Sequence, residues 1–276
     1  MKGYDTVIDT LNFFALQIVL LAVVTSVHTY LGLHVIRRGI VFSDLALDQL
    51  AAFGVIAGIA LGIQGGTSAS YMISFAAVLS GSIILAYVKP RRSGIPHEAV
   101  IGILYGLALV ASIMVADKMA GGAAYVTQTL SGCMLWVNWD LVIVTAVSYV
   151  LLAVFHFIYR SRFILLTENR YHSSNDNFWD LLFFISLGII TVLIAPIAGV
   201  LLAYGFLMIP AATAALFTKE WKKALLIGWS VGFGASLVGL FSSYFFNLPY
   251  GPTLVLALGL FFLSGVTYRL IKPGKP

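Results

Sequence analysis

Two acidic residues, Asp44 and Asp48, stand inside an otherwise apolar run of the sequence. Side chains four residues apart lie on one face of a helix, with about 5–6 Å between their Cβ atoms. Two carboxylates held that close in apolar surroundings repel each other, and a bound cation or a shared proton relieves the repulsion. An acidic residue inside an apolar span is a functional-site candidate for this reason. The pair therefore predicts a cation site.

A structural interpretation of the same pair stays open. If the helix began later, Asp44 would cap its N-terminus and Asp48 would reach water at the membrane surface. Gln49 offers a further neutral oxygen, but it points to an adjacent face, where it is better suited to a contact between helices. Of the histidines, His28 lies deepest in its apolar run and is the best candidate for an additional ligand.

No catalytic motif accompanies these residues. The sequence has no GxxxxGK[ST] phosphate-binding loop, no nucleophile elbow and no kinase or zincin motif. A single cysteine, Cys133, excludes an internal disulfide and a thiolate metal cluster within one chain. We therefore expect no enzyme and no permanently bound cofactor, and any ATP hydrolysis must come from a separate subunit.

The composition places these residues in a membrane protein. The chain of 276 residues is 60% hydrophobic and 10% charged, with a mean hydropathy of +0.98. Soluble domains have roughly 25% charged residues, so this chain lacks the polar coat that water requires. The net charge of +5 comes from scattered Lys and Arg residues, which argues against nucleic acid binding.

The apolar runs predict an all-α bundle of nine membrane-spanning helices, forming a single domain over residues 1–276. Each run has the roughly 17–25 residues that a spanning helix needs. The predicted spans are Leu11–Ile36, Val41–Ile63, Ala69–Val88, Ala99–Ala116, Leu141–Tyr159, Leu181–Ile197, Val200–Phe217, Ala224–Phe246 and Thr253–Ile271. The sixth and seventh spans are separate helices if Pro196 and Gly199 form a turn, and one long helix if these residues only kink it.

Basic residues predict the orientation, because short cytoplasmic loops carry the excess of Lys and Arg. With the N-terminus outside and the C-terminus cytoplasmic, all but Lys2 and Lys118 of the 16 basic residues lie on the cytoplasmic side. Merging the sixth and seventh spans would put Lys219–Lys223 on the wrong side, which favours nine spans. The inside segment 160–180 is polar, long enough for a short helix, and the natural docking surface for a cytoplasmic partner.

Pro210 lies within the seventh predicted span. Proline removes a backbone hydrogen bond from a helix, so this position could be a helix break that opens a path through the membrane. Proline is also common in membrane helices for packing reasons alone. Both interpretations stay open from the sequence.

Three longer stretches resemble the zinc- and manganese-type ABC transporter permeases. VIRRGIVFSDLALDQLAAFG (35–54) is similar to the second-helix motif of that family, AGVLLAYGFLMIPAATAALF (198–217) to a later helix, and SYFFNLPYGPTLVLALGLFFL (243–263) to its last span. SGCMLWVNWDL (131–141) is a weaker match. The matches occur in family order along most of the chain.

The resemblance implies a bacterial inner-membrane permease that works as a homodimer with two cytoplasmic ATP-binding subunits and an extracytoplasmic metal-binding protein. In that family an Asp on the second helix and a His four residues later contact the metal. Asp44 matches the Asp, whereas Asp48 replaces the His. Two carboxylates are harder ligands than Asp with His, which favours manganese or iron over zinc without deciding among them.

The cytoplasmic coupling segment of the family is only partly matched. In TENRYHSSNDN (167–177), Glu168 is the matching position, and Glu168 with Arg170 are the candidate ATPase-docking residues. Two rival functions stay open. A secondary metal transporter driven by an ion gradient would need no ATPase, and a membrane scaffold would not transport at all.

Overall fold

The computed structural model describes residues 2–88, 95–131, 137–168 and 175–272. All regular structure in these residues is helical. The helices are α1 (Lys2–Arg38), α2 (Ser43–Ala60), α3 (Ser68–Tyr87), α4 (His97–Asp117), α5 (Gly122–Ser131), α6 (Trp139–Ile158), α7 (Arg160–Thr167), α8 (Asp176–Ala198), α9 (Val200–Phe217), α10 (Trp221–Phe246) and α11 (Tyr250–Ile271).

Nine of these helices are long and apolar enough to cross a membrane, counted within the described residues. They are all but the short α5 and α7, and they coincide with the nine predicted spans. A helix satisfies its backbone hydrogen bonds internally, which is the requirement that hydrocarbon imposes on a spanning segment. The nine-span helical prediction is confirmed.

A single residue, Gly199, separates α8 from α9. Its φ of 80° and ψ of 156° leave the right-handed helical region, and this positive φ favours glycine over residues with a side chain. The sixth and seventh predicted spans are therefore two helices and not one kinked helix.

Contacts between helix ends join ends that the nine-span prediction places on the same side of the membrane. At one end of the bundle Arg38, the last residue of α1, forms an ion pair with Asp180 near the start of α8. At the other end the Tyr250 hydroxyl, at the start of α11, donates to Gln17 Oε1 of α1 at 2.9 Å. The ends predicted to lie on one side of the membrane thus meet on that side.

Two helices, α1 and α2, contact many of the others. α1 packs against α9, α10 and α6, and α2 packs against α3, α4 and α8. The approach of α2 to α3 is close, since a Cβ atom added at Gly54 would lie 2.5 Å from the Ser74 Cα atom. The Ser74 hydroxyl donates across the same contact to the Ala51 carbonyl. α2 is thus held firmly by its neighbours.

Two segments between spans contain short helices. The segment after α6 forms α7, as its length predicted. The segment 117–140, between the fourth and fifth predicted spans, contains α5. The chain turns sharply into α5 at Gly121, whose φ is 74°, and any side chain at Gly122 would collide with the Ala116 carbonyl. These glycines, which suggest a loop by composition, permit the turn that starts the helix.

Candidate metal site

The two carboxylates of α2 are buried inside the chain. α2 begins at Ser43 after the N-cap residue Phe42, so Asp44 lies within the helix. Asp44 is 1% exposed and Asp48 0% exposed. The N-cap interpretation of Asp44 and the water-exposed interpretation of Asp48 therefore do not describe this structure.

Most of the oxygens of this pair have no hydrogen-bond donor. The Thr191 hydroxyl of α8 donates to Asp44 Oδ1 over 3.4 Å, a long contact. Asp44 Oδ2 and both oxygens of Asp48 are buried without a partner in the described part of the chain. No basic side chain among those residues pairs with either carboxylate. Buried anionic oxygens left bare in this way are strongly destabilising unless a cation or a proton joins them.

Tyr149 of α6 and His28 of α1 form the next layer. Tyr149 is buried, and both carboxylates act on it electrostatically. Its hydroxyl lies 3.4 Å from His28 Nδ1, with the two rings 5.7 Å apart. The same nitrogen of His28 lies 3.0 Å from the Val24 carbonyl of its own helix. His28 therefore contacts Tyr149, and its role as a ligand stays a prediction.

Gln49 faces away from the aspartates, toward α4. Its Nε2 donates to the Ser112 hydroxyl at 3.4 Å, which is the helix contact expected from its adjacent face. Its Oε1 is buried and has no partner among the described residues. Gln49 as a ligand also stays a prediction.

Pro210 is buried in the middle of α9, which runs unbroken from Val200 to Phe217. The ring packs against α10, where a Cβ atom added at Gly232 would lie 2.9 Å from Pro210 Cγ. The packing role is visible here, and gating by a helix break stays a prediction for another state of the protein.

Of the two candidate docking residues, Glu168 is described and Arg170 lies outside the described residues. Glu168 follows the last residue of α7, and its Oε1 accepts a hydrogen bond from Trp221 Nε1 at 3.0 Å. Trp221 begins α10. Glu168 therefore connects α7 to a spanning helix, and its docking role remains a prediction.

Neither Thr191 nor Tyr149 stands out in the sequence as a candidate site residue. Each lies in an apolar span that supplies no motif, and only folding brings them to the carboxylates of α2, more than 100 positions away in the chain. The available signal was weak: each is an isolated hydroxyl within an apolar run, where a buried hydroxyl needs a polar neighbour.

The described residues contain no group of three or more His, Cys, Asp or Glu side chains placed to hold a metal ion. The arrangement is instead a pair of buried carboxylates with the Thr191 hydroxyl beside it. Such a site offers hard oxygen ligands, which suit Mn²⁺ better than they suit softer metals.

Comparison with known proteins identifies the family. The model of the ABC 3 transport family matches residues 10–269. The chain belongs to this family. The permease is 31% identical over 238 residues to the manganese import system permease protein ScaB of Streptococcus gordonii, covering 84% of this chain and 82% of that relative.

Two further comparisons agree. The permease is 25% identical over 249 residues to the manganese transport system membrane protein MntC of Listeria innocua, covering 87% of each chain. Its fold matches a chain of PsaBC from Streptococcus pneumoniae in complex with Fab, with a TM-score of 0.77, 23% identity, and coverage of 96% of this chain and 98% of that one. The resemblance to metal ABC permeases is confirmed, and the permease is a multi-pass protein of the bacterial cytoplasmic membrane.

Proposed function

We propose that the permease carries a divalent transition metal ion, with Mn²⁺ as the preferred substrate, into the cytoplasm in an ATP-driven ABC importer. The observation that supports this proposal is the buried pair Asp44 and Asp48, in which three of the four carboxylate oxygens have no hydrogen-bond partner among the described residues. Two relatives described above are manganese transport proteins. Zinc and iron are the competing substrates.

A pair of carboxylates suits transport because it can bind the metal ion and still release it. A bare dication cannot enter hydrocarbon, so protein oxygens must replace part of its water shell. A complete cage would hold the ion too tightly to release it, whereas two carboxylates leave positions for water. Movement of the helices that carry them can then let the ion go.

The importer needs partners that the chain does not contain. Because the sequence lacks a phosphate-binding loop, ATP hydrolysis belongs to separate cytoplasmic subunits. An extracytoplasmic metal-binding protein delivers the ion. A second copy of the permease completes the path.

The test is metal uptake by proteoliposomes that contain the permease, its ATPase and its binding protein. We expect Mn²⁺ uptake that requires ATP, with Zn²⁺ and Fe²⁺ compared in parallel. Asp48→Asn keeps the side-chain shape but removes the charge. Losing a buried charged ligand should weaken metal binding by about 3 kcal/mol, so uptake should fall about 100-fold.

Asp117→Asn is the matched control. It makes the same change at an exposed residue whose only described ion pair is with its exposed neighbour, Lys118, so uptake should stay at the unmodified level. Normal uptake by Asp48→Asn would overturn the site assignment. Uptake that continues with an ATPase-dead partner would instead favour the ion-gradient transporter.

A further inference from the structure

The end of α7 is fastened to its surroundings by one hydroxyl. Thr167 Oγ1 donates to the Phe163 carbonyl one turn earlier at 2.8 Å. With its proton used there, the oxygen accepts from His34 Nδ1 at 2.6 Å and from Arg38 Nε at 3.0 Å. Both donors belong to α1. Thr167 is buried, so water does not compete for these bonds.

Arg38 extends the connection to a third helix. While its Nε binds Thr167, its Nη1 donates to Asp180 Oδ1 of α8 at 2.9 Å. The Arg38 and Asp180 side chains are only 8% and 12% exposed. A guanidinium can direct two donors at two partners at once, which a lysine ammonium on its flexible stem does less well. We name the three residues Arg38, Thr167 and Asp180 the α7 clamp.

A second contact holds the same end of α7 against α10. Glu168 accepts a hydrogen bond from Trp221, as described above, and the Arg37 guanidinium stacks over the Trp221 ring at 3.9 Å. Arg37 also donates to the Lys219 carbonyl at 2.8 Å. The end of α7 is therefore bonded to α1 through Thr167 and to α10 through Glu168.

α1 leads directly into the helix with the carboxylates. After Arg38 the chain makes a tight turn through Gly39, with φ of 67°, and Ser43 N–H donates to the Ile40 carbonyl at 3.0 Å. α2 begins at Ser43, and Asp44 is its second residue. A displacement of Arg38 is thus passed to Asp44 through a short, hydrogen-bonded turn.

From this continuity we propose that the α7 clamp couples ATP hydrolysis to metal release by transmitting movement of α7 to the start of α2. The proposal rests on the proposed function and on the predicted docking of the ATPase to segment 160–180, which contains α7. Arg38, Thr167 and Asp180 are positioning residues: they touch no metal, and they fix where Asp44 and Asp48 stand for each position of α7.

The test measures ATP hydrolysis and Mn²⁺ uptake on the same proteoliposomes of the complete importer. Thr167→Val keeps the size of the side chain and removes the oxygen that accepts from α1. Arg38→Lys keeps the charge but not the two-pronged geometry. For both we expect an assembled importer that still hydrolyses ATP, while the Mn²⁺ transported per ATP falls about tenfold, a typical size for a coupling free energy.

Thr267→Val is the matched control. The Thr267 hydroxyl donates to the Leu263 carbonyl of its own helix at 2.9 Å, as Thr167 does to Phe163, but it lies exposed on α11 without a described bond to another helix. Mn²⁺ transported per ATP should be unchanged. Thr167→Val then differs from its control in the contacts to α1.

Two results would overturn the proposal. If Thr167→Val and Arg38→Lys transport as much Mn²⁺ per ATP as the unmodified importer, the clamp does not couple. If hydrolysis and uptake fall together because the subunits no longer assemble, the clamp is only structural. Failure of the proposed function is distinct, since the unmodified importer itself would then show no ATP-dependent Mn²⁺ uptake.

Discussion

Asp48 differs from the residue that the family resemblance places at its position, where a histidine contacts the metal. In this permease the carboxylate is fully buried on the same face as Asp44. Replacing an imidazole nitrogen with carboxylate oxygens makes the site harder and adds a negative charge. The residue at position 48 should therefore set which metal is preferred.

Asp48→His tests this at the residue scale. Imidazole suits Zn²⁺, whereas carboxylate suits Mn²⁺. We expect the ratio of Zn²⁺ uptake to Mn²⁺ uptake to rise about tenfold, which corresponds to about 1.4 kcal/mol of differential binding. Uptake of both ions from separate and mixed solutions measures the ratio. An unchanged ratio would show that selection occurs elsewhere, for example in the binding protein.

The carboxylate pair itself could be predicted from the sequence, because acidic residues in an apolar run are conspicuous and their spacing defines a common helical face. Thr191 and Tyr149 could not be predicted. Their positions depend on how α6 packs on α1 and how α8 packs on α2. An apolar span of uniform hydrophobicity carries little information about which face meets which neighbour. For the same reason, the contact of Arg38 with Thr167 could not be predicted from the sequence.

At the scale of helices, α2 is positioned by its close approach to α3. Gly54 contacts the Ser74 backbone so closely that a methyl group at this position would lie 2.5 Å from the Ser74 Cα atom. Backbone atoms cannot turn aside as a side chain can. At Gly58, one turn further along α2, a methyl group would meet only the end of the Ile73 side chain, at 3.5 Å.

Gly54→Ala should therefore destabilise the permease by about 1–3 kcal/mol, since it overpacks a close helix contact. Gly58→Ala is the matched control and should be neutral or stabilise by up to about 1 kcal/mol, because alanine favours the helix more than glycine does. Thermal unfolding of both variants in detergent gives the comparison. Equal midpoints would contradict the close α2 and α3 contact.

Most helices were predictable at this scale because span length and hydrophobicity determine them together. α5 was not, because the glycine-rich composition of segment 117–140 suggests an irregular loop. Gly121 and Gly122 are needed where the chain turns closely past the end of α4 into α5. Composition alone does not distinguish a glycine that makes a loop flexible from one that permits a tight connection.

For the whole molecule, the distribution of Lys and Arg predicts an external N-terminus and a cytoplasmic C-terminus. Cysteine labelling tests this in a Cys133→Ser background. Gln64→Cys, in the exposed connection between α2 and α3, should react with a membrane-impermeant maleimide in intact cells. Glu220→Cys, in the exposed connection between α9 and α10, should react only after the cells are opened. The reverse pattern would invert the topology and contradict the cytoplasmic position of α7.

The single-residue connection at Gly199 affects how α8 and α9 are inserted into the membrane. No charged side chain occurs between Asp180 and Lys219, and the turn at Gly199 offers no polar loop to anchor either helix in water. The basic residues that flank this pair, before α8 and after α9, all lie on the side predicted to be cytoplasmic. We infer that α8 and α9 enter the bilayer together as a helical hairpin whose two outer ends stay on that side.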